Sequence, residues 1–145
     1  MSDHPNPIAI VESSDGQYAQ AIKSRMHHWN AGEPESLGGT DNGPTPYELL
    51  LSALGACTSI TLEMYAARKG WPLTKVHVIL EHSREVRKGA SGQENDGKPI
   101  DMIDRIVTLE GDLNEQQRAR LIEIAEKCPV HRTLMNQIII STQLI

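Results

Sequence analysis

Apolar and polar positions along this chain fall into four kinds of stretch: short alternating runs, one long helical run, polar turns, and an apolar close. Ile8-Ala9-Ile10-Val11-Glu12 predicts a strand, Ser13–Gly16 a turn, and Tyr18–Lys23 the second arm of a hairpin. Residues 32–46 are rich in Gly, Pro, Asn and Asp and predict a long ordered loop, a kind of segment that often carries function. A helix follows from Pro46 to about Lys69, with proline in its first turn and Gly70-Trp71-Pro72 as its stop. Val76–His82 has strand character, with Val76, Val78 and Leu80 on one face, and Arg105–Glu110 is its expected partner. Between them the polar stretch Lys88–Lys98 predicts a mobile hairpin tip.

Asp112-Leu113-Asn114-Glu115 resembles a capping box, an acceptor followed three residues later by Glu. The helix it opens should run roughly 14 residues to Cys128, with Leu121, Ile124, Ala125 and Cys128 sharing a face and Pro129 marking the end. Gln137–Leu144 predicts a closing strand. The order ββ-α-ββ-α-β points to an α+β domain with antiparallel sheets rather than an alternating parallel sheet. A single domain over 1–145 is expected, with residues 1–6 as a loose tail.

Composition narrows the function classes. A chain of 145 residues can bury a real core, and 23% charged residues is ordinary for an ordered protein. A formal charge of -5 with no basic cluster argues against a nucleic-acid partner. The opening Met-Ser-Asp-His-Pro-Asn-Pro lacks a basic region followed by an apolar one, so no secretory leader is expected. No membrane partner is expected either, since no uninterrupted apolar run approaches the ~20 residues of a span. A cytoplasmic setting follows, in which thiols stay reduced unless they do chemistry.

That makes the two cysteines the centre of interest. Cys57 lies within the long helix, and its neighbours at helical spacing are Ala53, Leu54, Ile60 and Thr61. Such a face suits an inert buried thiol as well as a reactive one. Cys128 opens Cys128-Pro129-Val130-His131-Arg132, where nearby cations favour a thiolate while a helix C-terminus opposes it. Cys128-x-x-His131 also has metal-ligand spacing, yet a closed zinc site wants four ligands and no second pair lies nearby, so no metal is expected. His27-His28 reads as a surface or loop pair, because neighbours on a strand point to opposite faces. Gly38–Pro44 lacks the Gly-Lys-Ser/Thr ending of a phosphate loop and reads as a tight loop positioning the helix.

The run Gly38-Gly39-Thr40-Asp41-x-Gly43-Pro44-x-Pro46-x-Glu48-Leu49-Leu50-Leu51-x-Ala53-Leu54-Gly55-Ala56-Cys57, together with Cys128-Pro129-Val130-His131-Arg132, resembles the OsmC/Ohr family, and most of all its OsmC-like branch. The likeness runs from about Ile8 to the C-terminus. It implies an intertwined homodimer whose sheets wrap around central cysteine-bearing helices. It also implies a thiol-dependent peroxidase for organic hydroperoxides, with Cys57 the peroxidatic and Cys128 the resolving cysteine, joined as an intramolecular disulfide. No cofactor is implied beyond an external dithiol reductant.

The chain departs from the family pattern at the groups that activate the thiolate. The family places an arginine just after the first hairpin turn and a glutamate ten residues before the first cysteine. Here Gln17 and Tyr18 follow the turn, Tyr47 stands ten residues before Cys57, and Glu48 stands nine before it. One residue along a helix rotates a side chain by about 100°. Arg25 and Arg132, with His131 beside the latter, are the candidate replacements. The departure sustains an alternative, a non-enzymatic module on the same fold that binds a small apolar or electrophilic ligand.

Overall fold

The structure, a computed structural model, describes residues 6–86 and 98–145. Residues 1–5 of the expected tail and 88–97 of the expected hairpin tip lie outside the described residues. The chain forms two compact units, one reaching to Leu50 and one running from Leu51 to Ile145, with a single helix passing through both.

In the first unit, β1 (Ile10–Ser13), β2 (Gln20–Ser24) and β3 (His27–Ala31) form an antiparallel sheet in chain order. The third strand was not expected; His27 and His28 belong to it, pair with Ser24 and Lys23, and are exposed, as the surface reading of the pair has it. Arg25 makes this possible by taking φ 54° in the two-residue turn before β3. The Gly/Pro-rich loop is ordered by its own backbone: Gly32 N–H donates to the Pro44 carbonyl at 3.1 Å and Asp41 N–H to Glu33 at 3.0 Å.

The long helix α1 (Pro46–Lys69) begins and ends as its sequence dictates. Thr45 Oγ1 accepts from Glu48 N–H at 3.2 Å, and Glu48 Oε2 accepts from Thr45 N–H at 2.7 Å, a reciprocal capping box. At the far end Gly70 takes φ 69°, Trp71 N–H reaches the Ala66 carbonyl and Gly70 N–H the Ala67 carbonyl. This is the Schellman stop that only a residue tolerant of the left-handed region closes cheaply. By length and composition α1 is apolar enough to cross a membrane, contrary to the expectation of no such stretch. Its Leu62, Tyr65 and Ala66 instead enter a packed core with strand and helix partners.

That core lies in the second unit. β4 (Leu73–Glu85) and β5 (Ile100–Gly111) form one long antiparallel ladder, longer at both ends than the apolar alternation predicts. α2 (Glu115–Ala125) is capped by Asn114 and Gln117, two residues later than the expected Asp112–Glu115 pair. Leu62, Tyr65 and Ala66 of α1, Leu109 of β5, Leu113, and Leu121, Ile124 and Ala125 of α2 form one cluster. Leu62 and Leu121 are fully buried, each worth roughly 1.5–3 kcal/mol of apolar transfer.

The C-terminal part is not one helix to Cys128 followed by a strand. α2 ends at Ala125 and a second helix, α3 (Pro129–Met135), begins directly after Cys128. Pro129 starts a helix as readily as it ends one, because the first-turn N–H it lacks needs no intrahelical partner. The expected closing strand over 137–144 has no ladder partner among the described residues, and Ile138, Ile139, Ile140 and Leu144 are exposed. Apolar alternation predicts a strand only where another edge is available to pair with it.

Candidate functional site

Three segments of the second unit bring the chemistry together. α1 carries Cys57 and Thr58 on successive positions, half-buried and fully buried respectively. The turn between α2 and α3 carries Cys128, which is fully buried and not bonded to Cys57; both thiols are free. β5 carries Arg105, half-buried on the strand face it shares with Ile103, Val107 and Leu109.

Cys128 is the N-cap of α3, not the end of α2. Its Sγ accepts a hydrogen bond from His131 N–H at 3.3 Å. The neighbouring first-turn amide, Val130 N–H, lies near the Cys57 sulfur and lowers that thiol's pKa. Pro129 has no N–H, so the first free amides of α3 are those of Val130, beside Cys57, and His131, on Cys128. Helix N-terminal amides carry partial positive charge and favour thiolates. The expectation that Cys128 ends a helix is therefore corrected: it stands at the start of α3, after α2 has ended at Ala125.

The two thiols are neighbours, near enough for Cys128 to act on the Cys57 pKa. Burial pushes the Cys57 thiol above its usual range, and the adjacent Cys128 adds to the rise; the Val130 amide and the Thr61 hydroxyl pull it down. Burial outweighs them, so the Cys57 thiol stays raised.

Arg105 had not been singled out from sequence. Its Nη1 donates to Thr58 Oγ1 at 3.0 Å and its Nη2 lies 3.2 Å from His131 Nδ1. The available signal was an arginine on the inward parity of a strand, between Ile103 and Val107, where an apolar side chain is the norm.

The other candidates sit elsewhere in the chain's organisation. Tyr47 is exposed in the first turn of α1, and Glu48 holds the capping box with Thr45, both in the unit ending at Leu50. Gln17, Tyr18 and Arg25 are exposed in the hairpin turns of that unit. Arg132 is exposed on α3, and its carbonyl accepts from Asn136. His131 is brought to the cysteines, but by its backbone amide, while its ring faces Arg105. No group of three or more metal-ligating side chains occurs among the described residues.

Two free thiols beside one helix N-terminus in an α+β domain define a cysteine-pair protein. Residues 39–143 match the family model described as OsmC-like protein, and the chain belongs to that family. The fold is shared with an OsmC-like protein from Mycoplasma pneumoniae at 21% identity and TM-score 0.69, covering 93% of this chain and 89% of that one. It is shared also with an organic hydroperoxide resistance protein OsmC from Legionella pneumophila, at 17% identity and TM-score 0.66, covering 92% and 91%. A third, an organic hydroperoxide resistance protein from Elizabethkingia anophelis, shows 16% identity and TM-score 0.64 over 92% and 90%. No curated protein matches the chain.

Proposed function

We propose that this protein is a thiol-dependent peroxidase that reduces organic hydroperoxides in defence against oxidative stress. The observation that carries the reading is a pair of free, neighbouring thiols at the start of α3, one of them capped by the His131 amide. Membership of the OsmC-like family and the names of two of the structural neighbours, organic hydroperoxide resistance proteins, support the same reaction class.

The Cys57 thiolate attacks the distal peroxide oxygen and breaks the O–O bond, so the substrate leaves as an alcohol and Cys57 becomes a sulfenic acid. The Cys128 sulfur displaces hydroxide from that sulfenic acid, forming the Cys57–Cys128 disulfide and water. An external dithiol takes two electrons' worth of oxidation by exchange and restores both thiols. Because the Val130 amide lowers the Cys57 pKa, it favours the charged, attacking sulfur over the resting thiol.

The protein works in the cytoplasm as a homodimer. Ile79 and Ile106, register partners on β4 and β5, are 54% and 62% exposed, and the apolar run 138–140 is exposed as well. Paired exposed aliphatic residues of this kind mark surfaces that association covers.

A binding role on the same fold is the second reading, favoured by the burial that raises the Cys57 thiol and keeps thiolate scarce at neutral pH. Consumption of cumene hydroperoxide with dithiothreitol as reductant, wild type against Cys57→Ser, separates the two. Turnover lost in the variant supports the peroxidase. Equal rates in both proteins, or none in either, overturn it.

A further inference from the structure

We propose that Arg105 is a positioning residue whose guanidinium fork clamps the Cys57 segment to the Cys128 segment and so sets how readily the two thiols join. The inference rests on the reading that Cys57 and Cys128 form a redox pair, and it concerns a residue outside both cysteine motifs.

Each arm of the fork ends on a group adjoining one cysteine. Thr58 follows Cys57 directly, is fully buried, and donates its hydroxyl hydrogen to the Leu54 carbonyl at 2.7 Å. That bond fixes the hydroxyl's orientation, so its lone pairs are what Arg105 Nη1 meets at 3.0 Å. The other arm meets His131 Nδ1 at 3.2 Å. A guanidinium is always a donor, so Nδ1 is the acceptor in this contact. The amide of that same His131 holds the Cys128 sulfur at 3.3 Å.

Strand β5 thus reaches both thiol-bearing segments through one rigid, planar side chain. Neither of its acceptors is a carboxylate, and no ion pair of Arg105 occurs among the described residues. A half-buried cation without a carboxylate is a costly way to stabilise a fold. The geometry of the fork, spanning two segments at once, accounts for its place on an otherwise apolar strand face.

The test is the thiol–disulfide equilibrium with glutathione: protein dithiol plus oxidised glutathione gives protein disulfide plus two reduced glutathiones. Its constant reads the effective concentration of one thiol at the other. Arg105→Met should lower that constant about tenfold or more, since freed segments meet less often. Arg105→Lys should lower it comparably, because a single ammonium cannot bridge both acceptors. The alkylation rate of Cys57 in a Cys128→Ser background should be the same with and without Arg105→Met.

A constant unchanged in Arg105→Met, or fully restored in Arg105→Lys, overturns the clamp; the latter would assign the residue's effect to charge. Should Arg105→Met fail to fold, Thr58→Val and His131→Phe each open one arm. Each is then expected to lower the constant, and no change in either overturns the proposal. No hydroperoxide enters this equilibrium, so a protein without peroxidase turnover still tests the clamp. An active peroxidase with an unmoved constant removes the clamp alone.

Discussion

The backbone N–H of His131 donates to the Cys128 sulfur at 3.3 Å, which makes this cysteine a helix cap as well as a thiol. The two roles separate by substitution. Cys128→Ser keeps a capping acceptor and should unfold close to wild type, whereas Cys128→Ala should lose about 1 kcal/mol, the usual cost of a deleted N-cap. Neither variant should form the intramolecular disulfide. Denaturant unfolding and non-reducing mass measurement check both halves, and equal stability of the two variants would remove the capping role.

Burial holds the Cys57 thiol above the ordinary range, so its reactivity should rise with pH along a curve displaced to the alkaline side of a free cysteine. Iodoacetamide alkylation of Cys128→Ser against pH shows this directly, since burial, the larger cause, survives that substitution. The stability consequence has a definite sign. The folded thiol keeps its proton after the unfolded one has lost it, so stability should fall as pH rises from the unfolded value through the raised folded value. A curve superimposing on that of a small-molecule thiol would contradict the buried setting.

Gly111 ends β5 with φ 136°, and a Cβ there would run into the Pro72 carbonyl. Backbone on backbone cannot yield as a side-chain tip can. Gly111→Ala should therefore destabilise by roughly 1–3 kcal/mol, the range for a residue forced into a disfavoured conformation. Urea unfolding measures it; a shift under a few tenths of a kcal/mol would mean the β4–β5 end relaxes freely.

Leu62 of α1 and Leu121 of α2 are both fully buried in the same cluster. Leu121→Ala should cost about 2–5 kcal/mol, the range for a large-to-small change in a packed core. Exposed Ile122, one position on, should be nearly silent as Ile122→Ala. Equal losses at the two positions would show that the burial pattern of α2 is wrong.

Ile79 and Ile106 face outward side by side on the β4–β5 ladder. If association of two copies covers them, Ile106→Lys should shift the protein toward monomer in analytical ultracentrifugation while leaving the monomer folded. A sedimentation coefficient unchanged from wild type, or a wild type that is itself monomeric, would argue that this face stays in solvent.

Local chemistry alone determined much of this. Proline at the first turn, the Thr45–Glu48 spacing and Gly70 mark both ends of α1 because caps depend on a few adjacent residues. The alternation around Val76–Leu80 and the run Arg105–Glu110 revealed the paired strands for the same reason, and two spaced cysteine motifs carried the resemblance to the family. Where local chemistry is degenerate, only the tertiary structure decided. A proline can end one helix or begin the next, and packing of Ile124 and Ala125 fixed the end of α2 so that Cys128 caps α3 instead. An apolar run such as 137–144 becomes a strand only against a partner edge. The fork of Arg105 joins positions 58, 105 and 131, and no spacing along a chain encodes a bond between residues that meet only once strand and helices have packed.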